Sequence, residues 1–299
     1  MVHKIVLIFT LCFLSVFSGC PRRSNITHNE QSNIKPLIAV SILPQEWFVS
    51  RIGGERVQTL VLAGPGQNPH NYEPRPKQIS GLAQAGAWIL SGTEFEISLR
   101  PKIEKLFPAL PIIDGAAGIT LRTLEEHNHD DEHEFSSLEI DRHTWLGREP
   151  AKILAAHIRD TLSVLDPAGA EQYTENCISL LQDIDAEFAA LRCELAPLKG
   201  KNVFVYHPSF GYFLDEFGIS QQAVETGGKS PGPRALGRLI ALAQEEQPAA
   251  IFVQAQFPVS AAQTIADAVG AVTISLDPLA PDWLANIRRM GEALKNASE

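Results

Sequence analysis

Residues 168–195 read AGAEQYTENCISLLQDIDAEFAALRCEL, and this stretch decides the fold. It contains no Pro, and no Gly after Gly169. Its apolar residues recur at the spacing of one face of an α-helix, at Ile178, Leu181, Ile184, Phe188 and Leu191. No other helical pattern in the chain is as long. We therefore predict a single long helix, residues 168–196, that links the two halves of the chain.

Short apolar runs alternate with helical patterns on both sides of this helix. Before it come LIAVSI (37–42), VQTLVLA (57–63) and AWILSG (87–92); after it come NVFVY (202–206), QQAVE (221–225), AAIFVQ (249–254) and AVTISL (271–276). This alternation is typical of a largely parallel sheet covered by helices. We predict an α/β protein of two lobes with mostly parallel sheets, residues 36–167 and 197–299, joined by one long backbone helix.

The start of the chain, MVHKIVLIFTLCFLSVFSGC, differs from the rest. A Lys precedes an apolar stretch from Ile5 to Phe17, and small residues follow, which is typical of an export signal rather than a membrane span. The small residues before Cys20 also resemble a bacterial lipoprotein cleavage site. We predict a signal peptide at residues 1–20 with Cys20 lipidated, and a plain cleaved signal is the alternative. Residues 21–35 are polar and unpatterned, and we predict a tether.

Composition narrows the range of partners. The chain has 299 residues and a net charge of −10 at pH 7, with no basic stripe. This charge argues against nucleic acid as a partner and favours a cation. Cys177 and Cys193 lie sixteen residues apart in the long helix, which is about 24 Å along its axis. That separation is too great for a disulfide, so we expect both thiols to be free, helix-packing cysteines.

Three histidines and one aspartate lie at comparable places. His70 follows a predicted strand and lies between two prolines in GQNPHNYEPR (66–75), and His207 follows NVFVY directly. These two therefore lie past the carboxyl end of a strand, where open α/β sheets bind ligands. Asp277 also follows a strand directly and precedes a proline, and His143 comes just before a predicted helix. Each residue alone has a structural explanation as a turn residue, but three imidazoles and one carboxylate together form a good tetrahedral set for Zn²⁺.

Five segments in order give the chain a family resemblance: NPHNYEPRP, DRHTWLGREPAKILAAHI, LDPAGAEQYTENCISLL, VFVYHPSFGYFLDEFGI and ISLDPLAPDW. Over roughly residues 36–299 it resembles the solute-binding proteins of zinc and manganese ABC transporters, the cluster A-I family. The resemblance implies two α/β lobes bridged by one rigid helix, with the metal in the cleft between them. It implies His70, His143, His207 and Asp277 as the metal ligands, no catalytic residues, and the membrane subunit of an ABC permease as partner.

The residue types also bear on which metal is carried. Manganese-binding members of that family have a carboxylate at the third ligand position, where this chain has His207. Because imidazole suits zinc and carboxylate-rich sets suit manganese, we predict a Zn²⁺ carrier, with a Mn²⁺ carrier as the alternative. The loop HNHDDEHE carries His127, His129 and His133. It is either a weak, mobile capture site for zinc or a solvated acidic loop.

Several residues depart from the family pattern without removing a ligand. Arg142 stands where Pro is usual, Gln254 replaces a common Glu, Pro69 replaces an acidic residue, and Gly147-Arg148-Glu149 replaces Ser-Pro. Arg142 brings a positive charge next to His143, which calls for a nearby acid such as Asp141. Trp145 and Tyr212 are expected to wall the site, and Phe210 is expected to pack in the core.

Two other function classes stay open at this point. A metal-dependent hydrolase would use the same three histidines, an open coordination position and a general base. Glu73 is the nearest acid in sequence, but no HExxH-like helix is present. A surface adhesion or structural lipoprotein would not need the metal. We expect a monomeric carrier without enzymatic activity, located in the periplasm or at the outer face of the membrane, with small lobe tilts on metal binding.

Overall fold

The computed structural model describes residues 35–124, 140–225, 232–257 and 260–297. The predicted signal peptide (1–20), nearly all of the tether (21–35) and Cys20 lie outside these residues. So do the three histidines of the acidic loop, His127, His129 and His133. None of the helices within the described ranges combines the length and the apolar character that a membrane span requires.

The first lobe contains a four-stranded, all-parallel sheet in the order β2-β1-β3-β4. Its strands are β1 (Leu37–Ile42), β2 (Gln58–Ala63), β3 (Ala87–Leu90) and β4 (Ile112–Asp114). The helices of this lobe are α1 (Leu43–Gly53), α2 (Pro76–Leu82), α3 (Glu94–Leu106) and α4 (Arg148–Leu165). Strand β4 has only three residues, too few for an apolar pattern to predict it. Residues that follow β2 and β3 line one cavity together with residues of the second lobe.

The long helix α5 spans Ala170–Glu194, which is 25 residues or about 37 Å. The structure thus confirms one long helix between two α/β halves. Its buried stripe differs from the one predicted, because Ile178 is 53% exposed. Its buried residues are Tyr173, Cys177, Leu180, Ile184, Glu187, Phe188 and Leu191. Both cysteines are free, as expected, but Cys193 is exposed and does not pack.

The second lobe repeats the architecture of the first with the sheet order β6-β5-β7-β8, again all parallel. Its strands are β5 (Asn202–Val205), β6 (Ser220–Ala223), β7 (Ala250–Val253) and β8 (Val272–Ser275). Its helices are α6 (Gly211–Asp215), α7 (Pro233–Glu246), α8 (Ser260–Val269) and α9 (Trp283–Asn296). The predicted fold class, two α/β lobes with mostly parallel sheets, is confirmed.

One large apolar cluster connects the lobes through α5, and a second, smaller cluster lies within the second lobe. Phe188 of α5 lies 6.5 Å, between ring centroids, from Trp283 of α9, and Trp283 lies 5.0 Å from Phe48 of α1. Helix α9 approaches α5 so closely that a Cβ on Gly291 would lie 2.3 Å from Leu191 Cδ2. Because both lobes contribute to one buried cluster, tilting them by a large angle would expose apolar surface to water.

Candidate metal centre

His70 lies in the turn that follows β2. The Asn68 side-chain oxygen accepts a hydrogen bond from the His70 backbone N–H at 3.0 Å, an Asx turn that fixes the backbone beside Pro69. Gln67 closes the start of the same turn by accepting from the Gly64 N–H at 2.8 Å. These local bonds hold the loop so that the half-buried imidazole of His70 projects into the cleft.

His143 and His207 are buried and are fixed by side chains that bond their backbones. The His143 N–H donates to Asp141 Oδ1 at 2.9 Å. Gln254 accepts from the His207 N–H at 3.2 Å and donates to the His207 carbonyl at 2.6 Å. A carboxylate cannot donate, so the Gln that replaces the common Glu at position 254 makes a bond that Glu could not make.

The three imidazoles meet at one point. Their ligand atoms all lie within 4.8 Å of one another. The Nε2 atoms of His70 and His207 are 2.9 Å apart, and those of His207 and His143 are 3.3 Å apart. Tetrahedral Zn–N bonds of 2.0–2.1 Å place nitrogens about 3.3 Å apart. The spacing of the ring nitrogens therefore fits a small transition-metal ion.

A carboxylate lies on the far side of each imidazole. His70 Nδ1 is 3.0 Å from Glu94 Oε2, and His143 Nδ1 is 2.8 Å from Asp141 Oδ1. His207 Nδ1 makes a short contact with Glu225 Oε1. A carboxylate accepts only, so Nδ1 carries the proton and each Nε2 presents a lone pair. Three lone pairs facing one another repel, and a cation between them turns that repulsion into attraction.

The protonation of these groups follows from their surroundings. Burial lowers the pKa of His207 to about 4, although the hydrogen bond to Glu225 opposes this, so the ring is neutral near pH 7. Burial disfavours ionisation of Glu94, but the hydrogen bond and charge of His70 outweigh it and lower the pKa of Glu94 to about 2. Burial opposes ionisation of Asp141 as well, and His143 together with Arg122 lowers its pKa. Metal binding requires neutral imidazoles, and His207 is already in that form near pH 7.

Arg122 bonds Asp141, the carboxylate that contacts His143. Its Nη1 donates to Asp141 Oδ2 at 2.8 Å, and its Nε donates to Asp215 of α6 at 3.0 Å. The guanidinium passes so close to Gly211 that a Cβ there would lie 1.6 Å from Nη1. Arg142 does not pair with Asp141; it donates to the Gly92 carbonyl at 3.1 Å.

Asp277 is not a member of the three-histidine group. Its Oδ1 accepts hydrogen bonds from Gln256 Nε2 at 2.8 Å and from the Leu279 N–H at 2.9 Å. Its backbone carbonyl accepts from Asn286 at 2.7 Å. The half-buried carboxylate is thus bonded to Gln256, which lines the cleft, whereas Asp277 is not among the lining residues.

The cleft around the imidazoles is small and mostly apolar. Its cavity measures about 20 Å³, more than the roughly 10–15 Å³ that one water molecule needs. Trp145 lines it and donates its indole N–H to the Pro278 carbonyl at 2.9 Å. Phe257 stacks on His207 with ring centroids 4.7 Å apart. Tyr212 lies behind the site, donating to the Asp141 carbonyl, and Phe210 is buried in the core.

Sequence reasoning missed four residues of this centre. Glu225 ends the predicted strand QQAVE, so the signal that singled out His207, a polar residue at the end of a strand, was present there too. Glu94 begins α3 just after β3, and Gln256 and Phe257 follow β7. All four lie near the carboxyl end of a strand. Glu73, the acid considered as a general base, is exposed and does not line the cleft.

Comparisons with known proteins agree with this architecture. Residues 38–297 match the family model of the zinc-uptake complex component A, periplasmic. A putative metal-binding protein of Chlamydia muridarum is 26% identical over 263 residues, covering 87% of this chain and 91% of that protein. A crystal structure of ZnuA has a TM-score of 0.81 at 33% identity, covering 89% of this chain and 100% of that one. The SBP FpvC from Pseudomonas aeruginosa, solved in complex with Mn²⁺, shares the fold with a TM-score of 0.76 at 24% identity, covering 88% and 98% of the two chains.

Proposed function

The chain belongs to the family of the periplasmic zinc-uptake complex component A, and we propose from this membership that it captures Zn²⁺ in the cleft between its lobes and delivers it to an ABC permease. The family is a transport component, so the role is binding and hand-over rather than catalysis. The observation that carries the proposal is the convergence of three imidazole nitrogens, each backed by a carboxylate.

We propose His70, His143 and His207 as the ligands and Asp277 as the residue that brings negative charge to the remaining side of the ion. Three imidazoles form a set that suits zinc better than manganese, which prefers oxygen. The two buried carboxylates, Asp141 and Glu225, and the more exposed Glu94 offset the charge of a divalent ion. The small cavity suits an ion that has shed most of its water shell.

Competition calorimetry on purified metal-free protein tests the choice of metal. Zn²⁺ is titrated into protein that holds excess Mn²⁺, and the reverse titration follows. We expect zinc to displace manganese at equal concentration. Displacement of zinc by manganese at equal concentration would make the protein a manganese carrier of the same family.

The two buried ligands are tested by single replacements at pH 7. His143→Ala and His207→Ala each remove a buried ligand, and we expect zinc affinity to fall by at least about 100-fold, the upper range for loss of a supporting partner. His157→Ala is the control, because His157 lies on α4 and bonds the Ala117 carbonyl. Wild-type affinity in both ligand variants would remove the basis of the proposal.

We further propose that the protein acts outside the cytoplasm as a monomer, anchored through lipidated Cys20. The support is the signal-like start of the sequence and the periplasmic character of the family. Metabolic labelling with a fatty-acid analogue, comparing the wild-type chain with Cys20→Ser, tests the anchor. Equal labelling of the two chains would show that Cys20 is not lipidated and would favour a plain cleaved signal peptide.

A further inference from the structure

Gln256 lines the cleft and bonds Asp277, and only one end of its amide has a hydrogen-bond partner among the described residues. Nε2 donates to Asp277 Oδ1 at 2.8 Å. Oε1 is shielded from solvent and has no hydrogen-bond partner among the described residues. The same side chain lines the cavity that the three imidazoles share. A buried carbonyl oxygen without a donor is costly, so its position calls for an explanation.

The direction of the amide is set by chemistry. A carboxylate oxygen accepts hydrogen bonds and cannot donate, so the nitrogen of Gln256 must face Asp277. Its carbonyl oxygen must then face away from Asp277. The carboxylate also polarises the amide, because hydrogen bonds in a chain strengthen one another in a low-dielectric site. Oε1 is therefore a better acceptor than an isolated amide oxygen.

The three imidazoles leave the fourth coordination position of a tetrahedral ion to another ligand. The three imidazoles supply three of the four positions of a tetrahedral ion, and Asp277 is not within the group. A water molecule bound to the ion carries acidic protons, because the ion withdraws electron density from its oxygen. Such a water molecule requires an acceptor, and Oε1 is an acceptor that lacks a donor.

We propose that Gln256 is a positioning residue of the metal centre, which accepts a hydrogen bond from an ion-bound water molecule through Oε1 and links that water to Asp277 through Nε2. This inference rests on the proposed function. In this arrangement Asp277 acts on the ion through the amide of Gln256. Direct ligation by Asp277 is the competing arrangement.

Replacement of the amide and of the carboxylate separates the two arrangements. Gln256→Met keeps the length of the side chain and removes both hydrogen bonds, and Asp277→Asn removes the charge. In the full chain, we expect each variant to lower zinc affinity about 10-fold, within the range for a supporting partner. Because Asp277 acts on the ion through Gln256 in this arrangement, the double variant should lose no more zinc affinity than the single variant with the larger loss. Zinc affinity is read by competition with a chromophoric chelator.

The absorption spectrum of bound Co²⁺ provides a readout that a general structural effect would not move. Its bands report the number and type of ligands, so we expect Asp277→Asn to keep the wild-type band positions. Gln263 is the matched control: its Nε2 donates to Asp267 Oδ1 at 2.7 Å on the exposed face of α8. Gln263→Met should leave both zinc affinity and the cobalt spectrum unchanged.

Two results would overturn the proposal. If Asp277→Asn shifts the cobalt bands and loses far more affinity than Gln256→Met, Asp277 is a direct ligand. If Gln256→Met binds zinc as tightly as the wild-type chain, Oε1 has no role. Either result leaves the proposed function standing, because the wild-type chain still binds zinc. Failure of the wild-type chain itself to bind zinc would instead contradict the proposed function.

Discussion

The carboxylate behind His207 offers the sharpest test of how the centre is built. Glu225 is 1% exposed, and its Oε1 contacts His207 Nδ1. Glu225→Gln keeps the shape of the side chain and removes its charge. We predict that this variant binds zinc about 10- to 100-fold more weakly, because the carboxylate sets the tautomer of His207 and raises the basicity of Nε2.

The structure also predicts that the equivalent change at Glu94 costs less. A carboxylate across an imidazole lies roughly 6.5 Å from the ion, so their Coulomb attraction is about 5 kcal/mol at an effective dielectric constant of 20 and about 1.3 kcal/mol in water. Glu225 is buried and lies toward the first value, but the cost of desolvating its charge offsets part of this attraction, which leaves the roughly 1.4–2.8 kcal/mol that a 10- to 100-fold loss represents. The Glu94 side chain is 37% exposed and belongs near the second value. Salt screens the exposed charge further. Glu94→Gln should therefore cost less than about 10-fold.

Competition between the protein and a chelator of known zinc affinity measures both variants under identical conditions, at pH 7 and two salt concentrations. Far-UV circular dichroism and thermal unfolding of the metal-free chains provide the folding control. Raising the salt concentration should reduce only the loss of zinc affinity that Glu94→Gln causes. An affinity for Glu225→Gln equal to that of the wild-type chain, or equal losses in the two variants, would refute the reasoning from burial.

Three further predictions concern the frame of the centre. Gly291→Ala should lower the free energy of unfolding by about 1–3 kcal/mol, since its Cβ would lie 2.3 Å from Leu191 Cδ2. Gly237→Ala in α7, where open space surrounds the glycine, should raise the free energy of unfolding by about 0.5–1 kcal/mol. Denaturant melts that show a change of the same sign for both variants would contradict these predictions. Gly211→Ala should displace Arg122 from Asp141 and weaken zinc binding about 10-fold without unfolding the chain. Chelator competition measures this loss. An unchanged affinity would show that zinc binding does not need the ion pair between Arg122 and Asp141. Solution scattering should show the radius of gyration, roughly 18 Å for a compact chain of this size, changing by less than about 0.5 Å when zinc is added, and a larger compaction would contradict a shared core.

The fold was predictable because its signals are local. Strands β1, β3, β5 and β7 lie in short apolar runs, and α5 shows an uninterrupted helical pattern. The failures are also physical. Strand β4 has too few residues to show a pattern. Ile178 was predicted to lie on the buried face of α5, but its side chain is exposed. An apolar residue on a helix surface costs little, so a single sequence cannot tell it from a core residue.

The sequence indicated the three histidines and Asp277 as candidate ligands, and it did not indicate most of the residues that contact them. His70, His143 and His207 follow from their places at element ends, and the structure brings them together. Their carboxylate partners come from other elements, so no spacing in the sequence connects Glu225 with His207 or Glu94 with His70. Side-chain bonds across elements depend on register and packing, and these are properties of the folded chain.

The contacts around His143 reconcile a rigid core with release of the ion. The loop of His143 is bonded to the second lobe by hydrogen bonds from Tyr212 to the Asp141 carbonyl, from Trp145 to the Pro278 carbonyl and from Trp283 to the Trp145 carbonyl. His143 and His207 are therefore held in one frame. His70 lies on the first lobe with its own carboxylate, Glu94, and both are more exposed. A small tilt of the lobes would therefore move His70 away from the other two imidazoles while every imidazole kept its carboxylate, and the proposed release of the ion would not require the centre to be rebuilt.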